Sequence, residues 1–140
     1  WEIFAQYSEN PFRNYKKRSV QGGGLRFEIS TSGRLGAGLL SEEETDLSGR
    51  AKTTERLGFY LHTDFDIAEN ISFDPTIYFQ PSIENFENDY KASMILALDF
   101  KVNENFKITM QYSSFYDSDP PLLAEKTDES ISTMFSYNLN

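Results

Sequence analysis

The stretch Tyr90-Lys91-Ala92-Ser93-Met94-Ile95-Leu96-Ala97-Leu98-Asp99-Phe100-Lys101 decides the fold class. Tyr90, Ala92, Met94, Leu96, Leu98 and Phe100 fall on one face, and Lys91, Ser93, Asp99 and Lys101 on the other. That is period 2, the mark of a β-strand whose two faces meet different surroundings. Val102-Asn103-Glu104-Asn105 follows, and Asn suits a tight turn because it tolerates turn dihedrals. Beyond it Phe106, Ile108, Met110 and Tyr112 oppose Lys107, Thr109, Gln111 and Ser113. Strand, turn and strand make a hairpin with one apolar and one polar face.

The same pattern extends in both directions. Ile71, Phe73, Pro75, Ile77 and Phe79 oppose Ser72, Asp74, Thr76, Tyr78 and Gln80. Leu57, Phe59, Leu61 and Phe65 oppose Arg56, Gly58, Tyr60, His62 and Asp64. Near the end Ile131, Phe135, Tyr137 and Leu139 oppose Ser130, Ser132, Ser136 and Asn138. The reading predicts strands at 1–8, 18–29, 33–41, 51–65, 70–80, 88–101, 104–116 and 128–139, and no helix. Short connections at 30–33, 67–70 and 102–105 alternate with longer ones at 9–17, 41–51, 81–89 and 117–127. In an antiparallel up-and-down sheet this gathers the short turns at one rim and the long loops at the other.

Period 2 does not say which face is inside. Aromatics on the apolar face cluster at the strand ends, with Phe65, Phe73, Phe100, Phe106 and Tyr137 toward the short turns. Tyr7, Phe79, Tyr90 and Tyr112 lie toward the loops, and Leu57, Ile77, Leu96 and Ile108 fall between. Two aromatic belts around an aliphatic band suit the two interfaces of a bilayer. The polar face mixes signs: Arg26, Arg56, Lys91 and Lys107 share it with Glu2, Glu28, Asp64, Asp74 and Asp99. Opposite charges can pair inside a narrow lumen, where an unpaired charge is costly. The expected fold is an all-β, antiparallel up-and-down transmembrane β-barrel of eight strands, closed by pairing 1–8 with 128–139. It has short periplasmic turns and longer extracellular loops. The rival is a soluble barrel with the apolar face as its core, holding a small lipid.

Composition bounds the rest. The 140 residues suit one domain, and there is no cysteine for disulfides or thiolate metal sites. The net charge is -9, from 22 acidic against 13 basic residues, so the basic field of a nucleic-acid binder is missing. Aromatics at 15% argue against disorder. No apolar run is long enough for a transmembrane helix. The chain opens on Trp1 without a signal peptide, which reads as a processed or trimmed chain.

Candidate sites are few. His62, the single histidine, is expected to face inward beside Arg56 and Asp64, in a lumenal polar network of Arg26, Glu28, Arg56, His62, Asp64, Asp74, Lys91, Asp99 and Lys107. A lipase-type nucleophile would need His62 beside Ser114 or Ser130, which are candidates by residue type alone. Glu42-Glu43-Glu44-Thr45-Asp46 reads as a solvated acidic loop without the ligand spacing of an EF-hand. Asn10-Pro11-Phe12-Arg13-Asn14-Tyr15-Lys16-Lys17 mixes aromatic and basic residues that could meet lipopolysaccharide phosphates. Gly22, Gly24, Gly36 and Gly38 are expected to face the lumen and leave room for Arg56, Tyr60 and Tyr78. The expectation is no catalytic residue, no cofactor and no metal.

Several short motifs carry a resemblance. They are Phe4-Ala5-Gln6-Tyr7 with Phe12-Arg13, Gly22-Gly23-Gly24-Leu25-Arg26, Gln80-Pro81-Ser82 with Asn88-Asp89-Tyr90, and Phe106-Lys107-Ile108. Tyr116-Asp117-Ser118-Asp119-Pro120-Pro121 with Lys126-Thr127-Asp128 is the most specific. In this order the chain resembles the salt-induced outer membrane protein family (the YdiY-like proteins, domain of unknown function 481) over nearly its whole length. It lacks the family's N-terminal strands, so it is either an eight-strand variant or the C-terminal part of a larger barrel. The resemblance implies a Gram-negative outer-membrane barrel without established enzymatic activity or cofactor. Its partners would be outer-membrane lipids, lipopolysaccharide, the barrel insertion machinery and a larger envelope complex. The ending Phe135-Ser136-Tyr137-Asn138-Leu139-Asn140 departs from the terminal aromatic of many such barrels. The expected function is a non-enzymatic barrel with a structural or salt-adaptation role and a lumen filled by the charged network. The alternatives are a narrow pore or small-solute transporter, a membrane-lipid-modifying enzyme, and a soluble lipid-binding barrel.

Overall fold

The structure is a computed structural model and describes residues 1–10, 15–121 and 124–139. Among the described residues nine strands form one antiparallel sheet: β1 (Glu2–Asn10), β2 (Tyr15–Glu28), β3 (Gly33–Asp46), β4 (Ala51–Thr63), β5 (Phe65–Ala68), β6 (Ile71–Pro81), β7 (Tyr90–Lys101), β8 (Phe106–Asp117) and β9 (Thr127–Tyr137). Their order is β1-β2-β3-β4-β6-β7-β8-β9, with β5 also paired to β6. The expected strand over 51–65 is broken at Asp64, and its two pieces, β4 and β5, pair with opposite ends of β6. The remaining expected strands appear, with β1, β2 and β3 longer than expected and β7, β8 and β9 shorter. The expected loop at 41–51 shrinks most, because β3 runs on to Asp46.

Side chains close the short connections. In the β7–β8 turn, Asn103 Oδ1 accepts hydrogen bonds at 2.9 Å from the backbone N–H groups of both Asn105 and Phe106. In the β3–β4 hairpin, Asp46 Oδ1 accepts from Ser48 Oγ and from the Arg50 N–H. Gly49 there has φ of 87°, a conformation glycine adopts without a Cβ penalty.

The sheet is open and curled, not a closed transmembrane barrel, and this corrects the expected fold. Among the described residues β1 pairs only with β2 and β9 only with β8. Their free edges stand 15 Å apart. Neighbouring strands sit about 4.8 Å apart, so the gap is about three strand spacings wide. No N–H···O bond of about 3 Å bridges it. The interior agrees. An eight-strand barrel is just wide enough for side chains to fill, whereas this trough holds cavities of about 440 and 390 Å³. An open trough encloses no lumen. The barrel with a charge-filled lumen and a structural or salt-adaptation role falls with closure, and so do the pore or transporter, the lipid-modifying barrel enzyme and the lipid-holding soluble barrel.

The two faces are unequal. Large apolar side chains on the convex face are exposed, among them Ile3, Leu25, Phe27, Leu39, Leu61 and Ile131. Most of the buried residues sit on the concave face at the long-loop end, where Val20 and Leu40 lie with Glu42 and Arg56, beside Ser82 and Asp89. Cross-strand register builds this face row by row. Arg26, Gly36, Tyr60, Tyr78, Ser93 and Phe115 form one continuous row across β2, β3, β4, β6, β7 and β8.

Gly36 explains how the row fits. The Tyr60 ring lies directly over it, and a Cβ at position 36 would fall inside the van der Waals shell of the ring. A Gly36→Val substitution is therefore expected to cost about 1–3 kcal/mol, the usual range for overpacking. Much of that cost should vanish when Tyr60→Ser is added. Denaturant unfolding of the two single variants and the double variant checks this.

Candidate functional site

The best-formed polar constellation centres on Glu42. Its carboxylate projects from β3 onto the concave face and is 2% exposed. Arg18 of β2 donates to Oε1 through Nε. Arg56 of β4 donates through Nε to Oε2 at 2.5 Å. Lys91 Nζ of β7 donates to Oε1 at 2.9 Å. One carboxylate thus ties four strands together, and β7 is not a sheet neighbour of β3. The outer members extend the network. Arg56 Nη2 lies 2.8 Å from Asp89 Oδ1, and Lys91 Nζ lies 3.1 Å from Glu44 and 3.3 Å from Asp117. Lys52 bridges Asp89 and Asp119 at the mouth.

Electrostatics follow from this packing. Burial by itself would raise the Glu42 carboxyl, but Lys91, Arg18 and Arg56 outweigh it and hold the group at about 2, below its ordinary 4.5. Burial would likewise depress Lys91, and the carboxylates of Glu42 and Asp117 raise it instead. Glu42, Lys91 and Arg56 all stay charged at neutral pH. Such a cluster is a clamp: breaking one member leaves buried charge uncompensated, at about 3–5 kcal/mol.

The expected polar network occupies the concave face in separate groups. Arg56 and Lys91 belong to the Glu42 cluster. Arg26 sits apart, with Nη2 2.9 Å from Glu2 and Nε 3.1 Å from the Tyr60 hydroxyl. His62 Nδ1 lies 2.9 Å from Thr76 Oγ1 and 3.4 Å from Asp74, and its Nε2 lies 3.9 Å from Asp64. Asp99 pairs with Lys107 at 3.0 Å and accepts from Thr109. Glu28 lies opposite Arg34 in the register.

The expected interface aromatics lie on the convex face in two end groups. Phe65 packs edge-on against Phe73, and Phe106 stacks on Phe135, at the short-turn end where Phe100 and Tyr137 also lie. Phe79 meets Tyr90, and Tyr90 meets Tyr116, at the loop end with Tyr7 and Tyr112.

The sequence reading missed the centre of the site. The run 42–46 reads as a solvated loop, yet Glu42 is the most enclosed charge in the cluster. Alternation carried through the acidic run would have found it, since Leu40, Glu42 and Glu44 continue the inward face of β3 past Gly38. Ser114 lies opposite Met94 on the convex face, away from His62. Ser130 Oγ lies 2.8 Å from Ser113 Oγ rather than bonding to His62. The proposed lipopolysaccharide loop falls largely outside the described residues at 11–14. Among the described residues no group of three or more His, Asp or Glu side chains is arranged to hold a metal ion.

The family model described as "Protein of unknown function, DUF481" matches residues 1–139. No curated protein and no solved structure matches the chain.

Above pH 4.5 the depressed Glu42 carboxyl contributes stability, and that contribution is lost as pH falls toward 2. The shift corresponds to about 3.5 kcal/mol at about 1.4 kcal/mol per pH unit. Glu42→Gln should lower stability by about that much at neutral pH and flatten the acid limb of the stability curve. Denaturant unfolding across this pH range checks both effects.

Proposed function

The chain belongs to the DUF481 family of proteins of unknown function, and we propose that it works at the outer membrane of a Gram-negative bacterium. In this reading it is a salt-induced, YdiY-like member of the family. It is a non-enzymatic β-sheet element whose convex face rests against outer-membrane lipid and lipopolysaccharide. One observation carries this: the curled sheet turns its large apolar side chains outward and its ion pairs inward. Ile3, Leu39, Ile131 and Phe135 are each 60% exposed or more. A contiguous apolar surface of this kind marks a site of contact with another apolar phase or partner. The aromatic groups at both ends of that face suit the headgroup level, where one side of a ring is apolar and the other wet.

The free edges limit how the chain can sit there. Exposed N–H and C=O groups of an open edge are not tolerated in hydrocarbon. The chain therefore works within a larger envelope complex, with strands of a partner covering β1 and β9.

Flotation with vesicles of phosphatidylethanolamine, phosphatidylglycerol and lipopolysaccharide tests the lipid contact. The wild-type chain should float with the vesicles. Replacing Leu39, Leu61 and Ile131 together by Ser should reduce the floating fraction several-fold at unchanged circular dichroism. A chain that stays at the bottom of the gradient, or floats equally well with the three serines, would contradict the reading.

A further inference from the structure

The trough beside the Glu42 cluster has features that neither the clamp nor the convex face uses. Its larger cavity, about 440 Å³, lies between β1 on one side and β6, β7 and β8 on the other. The neighbouring cavity of about 390 Å³ shares Phe4, Tyr78 and Gln80 with it, so the two run on along one groove. Sites of this size hold small organic ligands.

The lining falls into two chemistries. Phe4, Tyr78 and Phe115 present ring surface to the larger cavity. Between them lie hydrogen-bonding groups without a side-chain partner among the described residues: the Tyr78 hydroxyl, the Gln80 amide and the Ser93 hydroxyl. Tyr78 and Ser93 are direct cross-strand partners, and Gln80 lies one inward position further along β6. All three are half-buried. Burial, with Tyr60 and Glu2 nearby, raises the Tyr78 phenol, so it remains a neutral donor.

The charges at the inner end point away from an ionic ligand. Arg18 and Lys91 both contact the cavity, and both are already held by Glu42. An anion would have to take them from a buried carboxylate, and a cation would have to take that carboxylate from three partners, at the cost of stranding buried charge. A neutral ligand avoids both. Ring faces next to unpartnered hydroxyl and amide groups suit a molecule with a C–H face and a rim of hydroxyls.

We propose that this groove, formed by Phe4, Tyr78, Gln80, Ser93 and Phe115, binds a neutral polyhydroxylated ligand of mono- or disaccharide size. A free sugar and the sugar part of a glycolipid share this chemistry.

Saturation-transfer NMR with the full chain in a zwitterionic detergent tests it, with maltose as the free probe and dodecyl maltoside as the lipid-linked one. Glucuronate and glucosamine are the charged controls. Maltose should bind, with transfer from aromatic protons, and more strongly than either charged sugar. Ser93→Ala and Gln80→Ala should each weaken it about fivefold, the scale of one lost hydrogen bond. Tyr78→Leu should weaken it further, and if that variant does not fold, the Ser93 and Gln80 variants decide. Tighter binding of dodecyl maltoside than of maltose, with the same sensitivity to Ser93→Ala, supports the groove and assigns a lipid-linked source. Equal binding of the two supports the groove and a free one. Absence of maltose binding, preference for a charged sugar, or binding indifferent to Ser93→Ala and Gln80→Ala overturns the proposal. Flotation does not depend on the groove, so its outcome and this one are separable.

Discussion

Glu42 holds the curl of the sheet. Antiparallel pairing alone joins each strand to its neighbours and leaves curvature free to vary. The carboxylate on β3 reaches Arg18 on β2, Arg56 on β4 and, across the trough, Lys91 on β7. The last contact skips β4 and β6, so flattening the sheet would pull a cation away from a buried anion. Arg56 adds Asp89 and the carbonyl oxygens of Gln80 and Asp89, which fastens the 81–89 connection to the same point. The concave face is polar because charge is what crosses it.

This arrangement inverts an ordinary soluble domain. A usual core is apolar, with charges left at the surface. Among the described residues Val20 and Leu40 are the buried hydrophobic side chains of the enclosed layer, next to Glu42 and Arg56. Hydrophobic burial within the chain is thin, and much apolar surface stays uncovered on the convex side. Covering that surface would stabilise the protein further, at about 25 cal/mol per Å² of apolar area removed from contact with water. The proposed place at a lipid surface and the modest internal core are two sides of one fact.

Much of the strand pattern was legible. The alternation in 90–101 and 106–113 assigned faces correctly because strand period is local. The turn at 102–105 was legible because Asn103 caps it through its own side chain. Closure was not legible. Whether the first and last strands meet depends on curvature summed over the whole sheet, and no local pattern reports it. The length of β3 was lost because an acidic run looks like a loop when charge is read before periodicity. The clamp was half visible: Arg56 and Lys91 were named for the polar face, but their shared partner was hidden in that run. Breaks such as Asp64 leave only a weak trace, since a single residue out of register barely disturbs the alternation around it.

The sheet is open, and the Glu42 clamp sets its curvature. Spin labels on the convex side of β1 and β9, at Ala5 and Thr133, report the gap between the edges. The edges stand 15 Å apart in the structure. The expected result is a narrow distance distribution consistent with that gap, and a broad one shifted to longer distances after Glu42→Leu. Labels at direct strand-pairing distance, or a distribution that Glu42→Leu leaves unchanged, would contradict it.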